Sequence, residues 1–317
     1  MKKLLSAITC VILALVMLTG CSQPVFRLSG SYFLDDETNL SVGQIDETST
    51  YNVEFLPNEQ SAVQLKVDTA KYTTHLFTSS YEGTKCYQYT TTLDVTGSYT
   101  IAGNSEAFTD KVETEVYFLG VDKSLNPLYS KRTVKAHSAV ATTEEYSVKY
   151  YEYEIATKYQ DSNATVTFTP NTEQSTGAYD LTAGEHNFTK VYEKPYFDNE
   201  MMLIAMRAMD LNASYSATFT TIDAFSNAKR EMQLLPDSET PSETLEISYT
   251  NSGEKVSKVE TFKYDLSIAG TFTGSTIVLN YAARTQKKEG QRLVKMEVEA
   301  PLTMGKFVYT INSVSKK

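Results

Sequence analysis

Tryptophan is absent from this sequence, and cysteine and histidine occur only three times each. The histidines, His75, His137 and His186, are isolated, and no His-x-x-x-His or Cys-x-x-Cys spacing typical of a metal site is present. The sequence also lacks the Gly-x-Ser-x-Gly motif of serine hydrolases and a glycine-rich loop that could hold phosphate. It therefore predicts no catalytic residue, no metal site and no cofactor.

Long apolar runs are missing too, apart from one near the N-terminus. Lys2 and Lys3 precede a largely apolar run from Leu4 to Leu18. Its length of about 15 residues is short of the ~20 that a bilayer-spanning helix needs. The next longest run, Met201 to Met209, is shorter still and contains Arg207. No later segment is therefore predicted to span a membrane.

The N-terminal run ends in Leu18-Thr19-Gly20-Cys21, which resembles the lipobox of bacterial lipoproteins. A basic start, an apolar middle and small residues at the end are typical of a secretory signal. The resemblance implies a signal peptide over residues 1–20, cleaved before a diacylated, palmitate-type Cys21. Two acyl chains would hold the protein to a membrane firmly. The expected location is the extracytoplasmic face of the cell membrane, or the outer membrane in a host that has one. The alternative is a signal anchor that stays in the bilayer as a helix.

If the chain is cleaved before Cys21, each of the three cysteines has a different role. Cys10 would leave with the signal peptide and Cys21 would be acylated, so only Cys86 would remain in the folded body. An intramolecular disulfide is thereby excluded, although an extracytoplasmic compartment would permit one. Cys86 lies in a strand-like run and is predicted to be a buried structural thiol.

Basic residues are fewer than acidic ones. The chain has 29 Lys and Arg against 39 Asp and Glu, a net charge of −10 and a pI near 5.0. This balance argues against nucleic acid, and against an anionic membrane surface, as a binding partner. A lipid or other apolar ligand and a second envelope protein remain as expected partners.

The residues that are abundant favour strands, with 22 Tyr and 14 Phe among them. Apolar and polar residues alternate along Lys111 to Leu119, Glu145 to Ile155 and several later segments, with short turns between them. Roughly a dozen strands are indicated by this pattern. We predict an all-β, mainly antiparallel fold, a long curved meander or half-barrel over residues 50–317, whose two halves would meet near 170–212.

The acidic residues 21–49 are predicted to form a tether between the lipid and this domain. The alternative is that part of the segment docks as an edge strand through Phe26, Tyr32 and Phe33.

One segment breaks the alternation. Asp198 or Asn199 can cap a helix that starts in the Met-rich run after Glu200. The run is apolar nearly all round, which predicts a helix near residues 199–210 that is buried on most sides. Methionine offers adaptable apolar surface, so the predicted ligand-binding residues are Met202, Leu203, Met206 and Met209. Plain core packing is the alternative.

The segment Tyr150-Tyr151-Glu152-Tyr153-Glu154 contains acidic and aromatic residues of the kinds found in catalytic and ligand-binding sites. Alternation places Tyr151 and Tyr153 on one strand face, and Glu152 and Glu154 on the other. A solvated strand face is the simpler interpretation. A carboxylate pair for glycan hydrolysis stays open, because the separation of two acids cannot be read from sequence.

The second half is similar to the DUF3108 family of bacterial envelope proteins. The resemblance covers about residues 190–312 and rests on local groups in a shared element order: Tyr196-Phe197-Asp198, Arg207-Ala208-Met209-Asp210-Leu211, Tyr215 with Ala217 and Phe219, Lys258-Val259-Glu260, Arg292 to Glu297, and Pro301 to Gly305. It implies a half-barrel like that of lipoprotein carriers, and a carrier or binding role. We therefore expect a non-enzymatic binding protein for an apolar or amphiphilic ligand. A structural or interaction module with a filled core and a cell-wall glycan hydrolase are the alternatives.

Overall fold

The computed structural model describes residue 28 and residues 40–141, 145–161, 163–179, 181–189, 196–225, 228–269, 276–283 and 291–317. Within these residues a single sheet contains 18 strands. This confirms the predicted all-β, mainly antiparallel fold. The signal segment 1–20, Cys21, Phe26, Tyr32 and Phe33 lie outside the described residues.

The strands are β1 (Asp46–Pro57), β2 (Val63–Tyr81), β3 (Thr84–Ile101), β4 (Asn104–Phe118), β5 (Pro127–Ala141), β6 (Tyr146–Gln160), β7 (Asn163–Pro170), β8 (Gly184–Phe188), β9 (Tyr196–Asp198), β10 (Ala217–Asp223), β11 (Ala228–Pro236), β12 (Ser242–Leu245), β13 (Tyr249–Asn251), β14 (Glu254–Val256), β15 (Val259–Ile268), β16 (Ile277–Ala282), β17 (Leu293–Glu299) and β18 (Gly305–Lys316). Short 3-10 helices cover Val121–Lys123, Asn199–Met201 and Pro301–Thr303, and helix α1 is Met202–Met206. The sequence indicated fewer strands than these 18, in part because alternation is too short to recognise in β9, β13 and β14, which have three residues each.

Strands β1 to β8 form a meander in which each strand pairs with the next. The free edge of β1 pairs with β18, and the sheet continues through β17, β16, β15, β11 and β10 to β9. The pairs β9–β10 and β13–β18 are parallel. One sheet therefore runs through both sequence halves. It begins at Asp46, four residues inside the predicted tether, and Leu28 forms a bridge with Met209.

Tight turns hold the long hairpins in register. Between β2 and β3, Glu82 and Gly83 have φ of 47° and 81°, and between β3 and β4, Ala102 and Gly103 have φ of 50° and 83°. Two successive positive φ values are the signature of the two-residue turn that matches the twist of antiparallel strands. The glycine avoids the steric cost of this conformation at one of the two positions.

The predicted Met-rich helix is present but shorter than expected. Asp198 caps it by accepting a hydrogen bond from the Glu200 backbone N–H, and only Met202–Met206 is α-helical. Beyond Met206 the turns tighten, because the backbone N–H groups of Arg207, Ala208 and Met209 donate to carbonyls three residues back. No helix in the described ranges is long and apolar enough to cross a membrane.

The main core surrounds this helical segment. Ile204, Ala205, Met206 and Met209 are at most 4 % exposed, and they pack against residues of β1, β3, β4, β10 and β15 to β18. Leu203, in contrast, is half-buried. A second cluster lies under β6 and β7, and a third lies at the opposite end of β2 to β5.

Candidate functional site

A buried ionic cluster joins three distant parts of the main core. Glu47 of β1 accepts hydrogen bonds from Nη1 of Arg207, which follows α1, and from Nη2 of Arg292, just before β17, each at 2.8 Å. The three residues are 3 %, 5 % and 2 % exposed. Burial by itself raises the pKa of Glu47, but the two guanidinium groups outweigh it and hold that pKa far below its ordinary value. Glu47 is therefore charged in the fold, and the cluster ties β1 to the helix and to β17.

Tyrosines enclose this cluster. Tyr51 donates its hydroxyl to the Leu293 carbonyl at 2.9 Å, and burial raises the pKa of Tyr89 to about 12. Leu203 and Ile204 line the neighbouring cavity, whose volume of about 20 Å³ is of the order that one water needs. Met202, Met206 and Met209 are packed in the core. Ligand binding by these four predicted residues stays a prediction, and the cavity beside Leu203 leaves no room for an acyl chain.

A second buried acid connects the β9 end of the sheet to its meander. Asp198 Oδ2 accepts hydrogen bonds from Ser130 Oγ of β5 at 2.5 Å and from Tyr159 OH of β6 at 2.6 Å. Beside it, Arg132 Nη1 donates to Glu200 Oε1 at 3.2 Å. Side-chain contacts at Asp198 therefore bring β9 against β5 and β6.

Burial, together with the charge of Glu200, raises the pKa of Asp198 to about 6, although the hydrogen bonds from Ser130 and Tyr159 lower it. A carboxyl whose pKa is higher in the folded state adds stability below its unfolded pKa of about 4, and that stability is lost as the pH rises towards 6. The difference of about two units corresponds to about 3 kcal/mol.

We expect Asp198→Asn to remove this part of the pH dependence, because an amide does not titrate. Urea unfolding of both proteins at about pH 4 and about pH 7 measures it. Because the unfolded carboxyl is already about half ionised at pH 4, the parent should lose about 2 kcal/mol more than the variant between the two values. Equal losses in the two proteins would contradict the assignment to Asp198.

An open cleft lies on the inner face of β4, β5 and β6. Val112, Val134 and Tyr153 are directly opposite one another on the three strands, and Ala136 is opposite Tyr151. Ala178 and Phe225 face them from the segments after β7 and β10. The cleft has a volume of about 370 Å³. Its size and its apolar and aromatic walls are those of a small-molecule site.

Packing of the segment 171–179 fixes the aromatic wall. The Tyr179 hydroxyl donates to the Glu152 carbonyl at 2.6 Å, and the Tyr179 ring meets Tyr151 and Tyr153 nearly edge-on, at 5.7 and 5.8 Å. A Cβ at Gly177 would overlap the Tyr151 ring, so only glycine permits this close approach. Tyr153 stacks on Phe225 with 5.4 Å between ring centres. The wall is therefore formed before any ligand arrives.

Three polar residues, Arg132, His137 and Ser138, complete the lining. His137 Nδ1 lies 2.7 Å from Asp110 Oδ1, and the same oxygen accepts the His137 backbone N–H at 2.9 Å. The Ser138 hydroxyl donates to the Ala139 carbonyl at 3.4 Å. Arg132 also borders the recess beside Asp198, which has a volume of about 20 Å³. A few fixed polar groups in an apolar cleft suit the binding of an amphiphile.

The tyrosine and glutamate segment divides as alternation predicts. Tyr151 and Tyr153 line the cleft, whereas Glu152 and Glu154 pair with Lys135 and Lys131 at 3.3 and 2.7 Å.

The described residues contain no group of three or more His, Cys, Asp or Glu that could hold a metal ion. Cys86 is fully buried, and burial raises the pKa of its thiol, which suits a structural role.

The fold is similar to that of a solved structure, whereas the sequence comparisons found no match. No family model matches the chain, so the resemblance to DUF3108 receives no support, and no curated protein matches it. A crystal structure from Brucella abortus, described as a beta-barrel-like protein of domain of unknown function DUF1849, is similar with a TM-score of 0.48 and 8 % sequence identity. The alignment covers 87 % of this chain and 99 % of that chain.

Proposed function

We propose that this chain is a lipid-anchored, extracytoplasmic binding protein of the bacterial envelope that holds a small apolar or amphiphilic ligand in the cleft of β4, β5 and β6. The observation that carries the proposal is the preformed cleft of about 370 Å³ with its apolar and aromatic walls. Binding sites for small ligands range from about 300 to 1,000 Å³. The cleft lies at the small end of this range, which favours one compact ligand or a single alkyl chain.

The cleft is a better site than the helix that the sequence singles out. Met206 and Met209 are fully buried, and the cavity next to Leu203 and Ile204 has room for about one water. Val134, Ala136 and Phe225, in contrast, border open volume. A ligand could enter there without displacing the core.

A variant that fills the cleft tests this function. Ala136 is half-buried on the cleft floor, so Ala136→Trp should weaken binding of the uncharged apolar dye N-phenylnaphthylamine by at least about tenfold, or 1.4 kcal/mol. The new residue is also the only tryptophan in the chain, and its emission reports the polarity of the cleft. Dye fluorescence titration gives the affinities.

Ala141→Trp is the matched control. Ala141 is exposed at the end of the same strand and is outside the cleft lining, so this variant should bind the dye like the parent. Equal binding by all three proteins would overturn the cleft as the site.

The membrane anchor is a separate part of the proposal, supported by the Leu18-Thr19-Gly20-Cys21 sequence. Cys21→Ala should abolish incorporation of a palmitate analogue and cleavage before residue 21, because the acylated thiol is what processing acts on. Metabolic labelling of cells, followed by gel fluorescence and N-terminal sequencing, measures both. Undiminished label on the variant would refute lipidation at Cys21.

A structural or interaction module is the second candidate. The observation in its favour is the main core, which residues 201–209 fill. If the parent protein fails to bind the dye and yields no co-purifying lipid by mass spectrometry, this function replaces the first.

A further inference from the structure

We infer that the ligand of the cleft carries an uncharged hydrogen-bond donor, a hydroxyl or an amide N–H, and that His137 Nε2 accepts from it. This inference rests on the proposed binding function and names the chemical class of the ligand. Its basis is the pairing of His137 with Asp110, together with the ion pair that already engages Arg132.

Asp110 sets which nitrogen of His137 carries the proton. Asp110 Oδ1 accepts the backbone N–H of His137 at 2.9 Å and lies 2.7 Å from Nδ1 of the same residue. A carboxylate only accepts hydrogen bonds, so Nδ1 must be the donor to it. In neutral imidazole the other nitrogen, Nε2, then has a lone pair and accepts.

The imidazole is held in place from several sides. Its ring lies 4.9 Å from the ring of Tyr150 and 6.0 Å from that of Phe108, and the Tyr99 hydroxyl donates to the His137 carbonyl at 3.4 Å. Nε2 makes no hydrogen bond to any residue in the described part of the chain. The side chain is 19 % exposed and lines the cleft. His137 is thus a fixed polar residue in the lining of a cleft whose other walls are mainly apolar.

The charges around Arg132 disfavour an anionic ligand. Its guanidinium group donates to Glu200, which is 18 % exposed, and the negative charge of Asp223 also acts on it. Arg132 Nε is enclosed by protein, so a ligand does not reach it. A carboxylate or phosphate entering the cleft would meet an arginine whose charge is already balanced by Glu200, in a protein with a net charge of −10. An uncharged head group is not repelled by the negative charges of Glu200 and Asp223 or by the net negative charge of the protein.

Three ligands with the same alkyl chain separate the possibilities: dodecanol, which can donate a hydrogen bond; dodecyl methyl ether, which can only accept one; and laurate, which is an anion. Displacement of N-phenylnaphthylamine from the parent protein gives their relative affinities. Dodecanol should bind about tenfold more tightly than the ether, the effect of one hydrogen bond in an apolar site. It should also bind more tightly than laurate.

His137→Phe keeps a ring and removes the acceptor, so the preference for dodecanol over the ether should disappear. His75→Phe is the matched control. His75 also pairs with an aspartate, Asp46, at 2.8 Å, but it is outside the cleft lining, and this variant should keep the preference.

The parent protein alone can overturn the inference, whether or not the variants fold. Equal affinities for dodecanol and the ether, or tightest binding of laurate, would refute the uncharged donor while leaving the cleft as an apolar binding site. An unchanged dodecanol preference in His137→Phe would refute the role of Nε2. Binding of none of the three, and no binding of the dye, would overturn the proposed function together with this inference.

Discussion

Glu47→Gln should lower the free energy of unfolding by about 3–5 kcal/mol, the typical effect of removing one partner from a buried ion pair. Glu47 is 3 % exposed and binds the guanidinium groups of both Arg207 and Arg292 at 2.8 Å. The amide keeps the shape of the side chain but loses the charge that stabilises two buried cations. Urea denaturation at neutral pH, monitored by tyrosine fluorescence, gives the difference.

The same change at an exposed pair is the control. Glu113 on β4 lies 2.8 Å from Lys111, and both side chains are nearly half exposed. Glu113→Gln should therefore change stability by no more than about 1 kcal/mol.

The loss from Glu47→Gln should also shrink in acid. The folded-state pKa of Glu47 lies below its unfolded value, so the stability it provides is present above about pH 4 and is lost as the pH falls further. A loss of equal size in the two variants, or one that does not depend on pH, would show that the buried cluster does not hold the fold together.

Ile204→Ala should cost about 2–5 kcal/mol, because Ile204 is 4 % exposed at the centre of the main core and truncation leaves a cavity. Leu203→Ala, one residue earlier in the same helix, should cost less because Leu203 is half-buried. Both changes raise helix propensity, so propensity cannot explain the difference between them. Thermal melts of the two variants test the prediction. A larger loss of stability from Leu203→Ala than from Ile204→Ala would contradict the orientation of α1 described above.

The architecture could be predicted because it depends on patterns that are local in the chain. Ala164, Val166 and Phe168 alternate with threonines, and all three are buried on β7. The Met-rich run indicated a buried helix at the correct place. Its length could not be predicted, because the segment tightens into 3-10 turns where Met209 meets Leu28, a contact with a residue far away in the chain.

The ionic cluster could not be found in the same way. Glu47 stands among acidic residues in a segment that was predicted to be a solvated tether, and nothing near it in sequence signals burial. Its partners are 160 and 245 residues away. Only the pairing of β1 with β18 and the position of α1 bring them together.

The cleft could be predicted from the sequence only in part. Alternation correctly placed Tyr151 and Tyr153 on one face of β6, but it could not show that this face borders a cavity rather than solvent. The cavity exists because the segment 171–179 and Phe225, which follow other strands, pack over that face. Arg132 and His137 carry no motif, so their roles follow only from Glu200 and Asp110 beside them.

The place of β1 also bears on how fast the protein can fold. β1 pairs with β2, its neighbour in sequence, and with β18, the last strand, so that Thr50 meets Ser313 across a separation of 263 residues. Closing so long a loop costs chain entropy before any contact compensates for it, and domains rich in distant contacts fold slowly. The hairpins of β2 to β7 need no such closure and can form early. The edge of β1 stays unpaired until the end of the chain arrives, and for that interval it is open to pairing with another molecule.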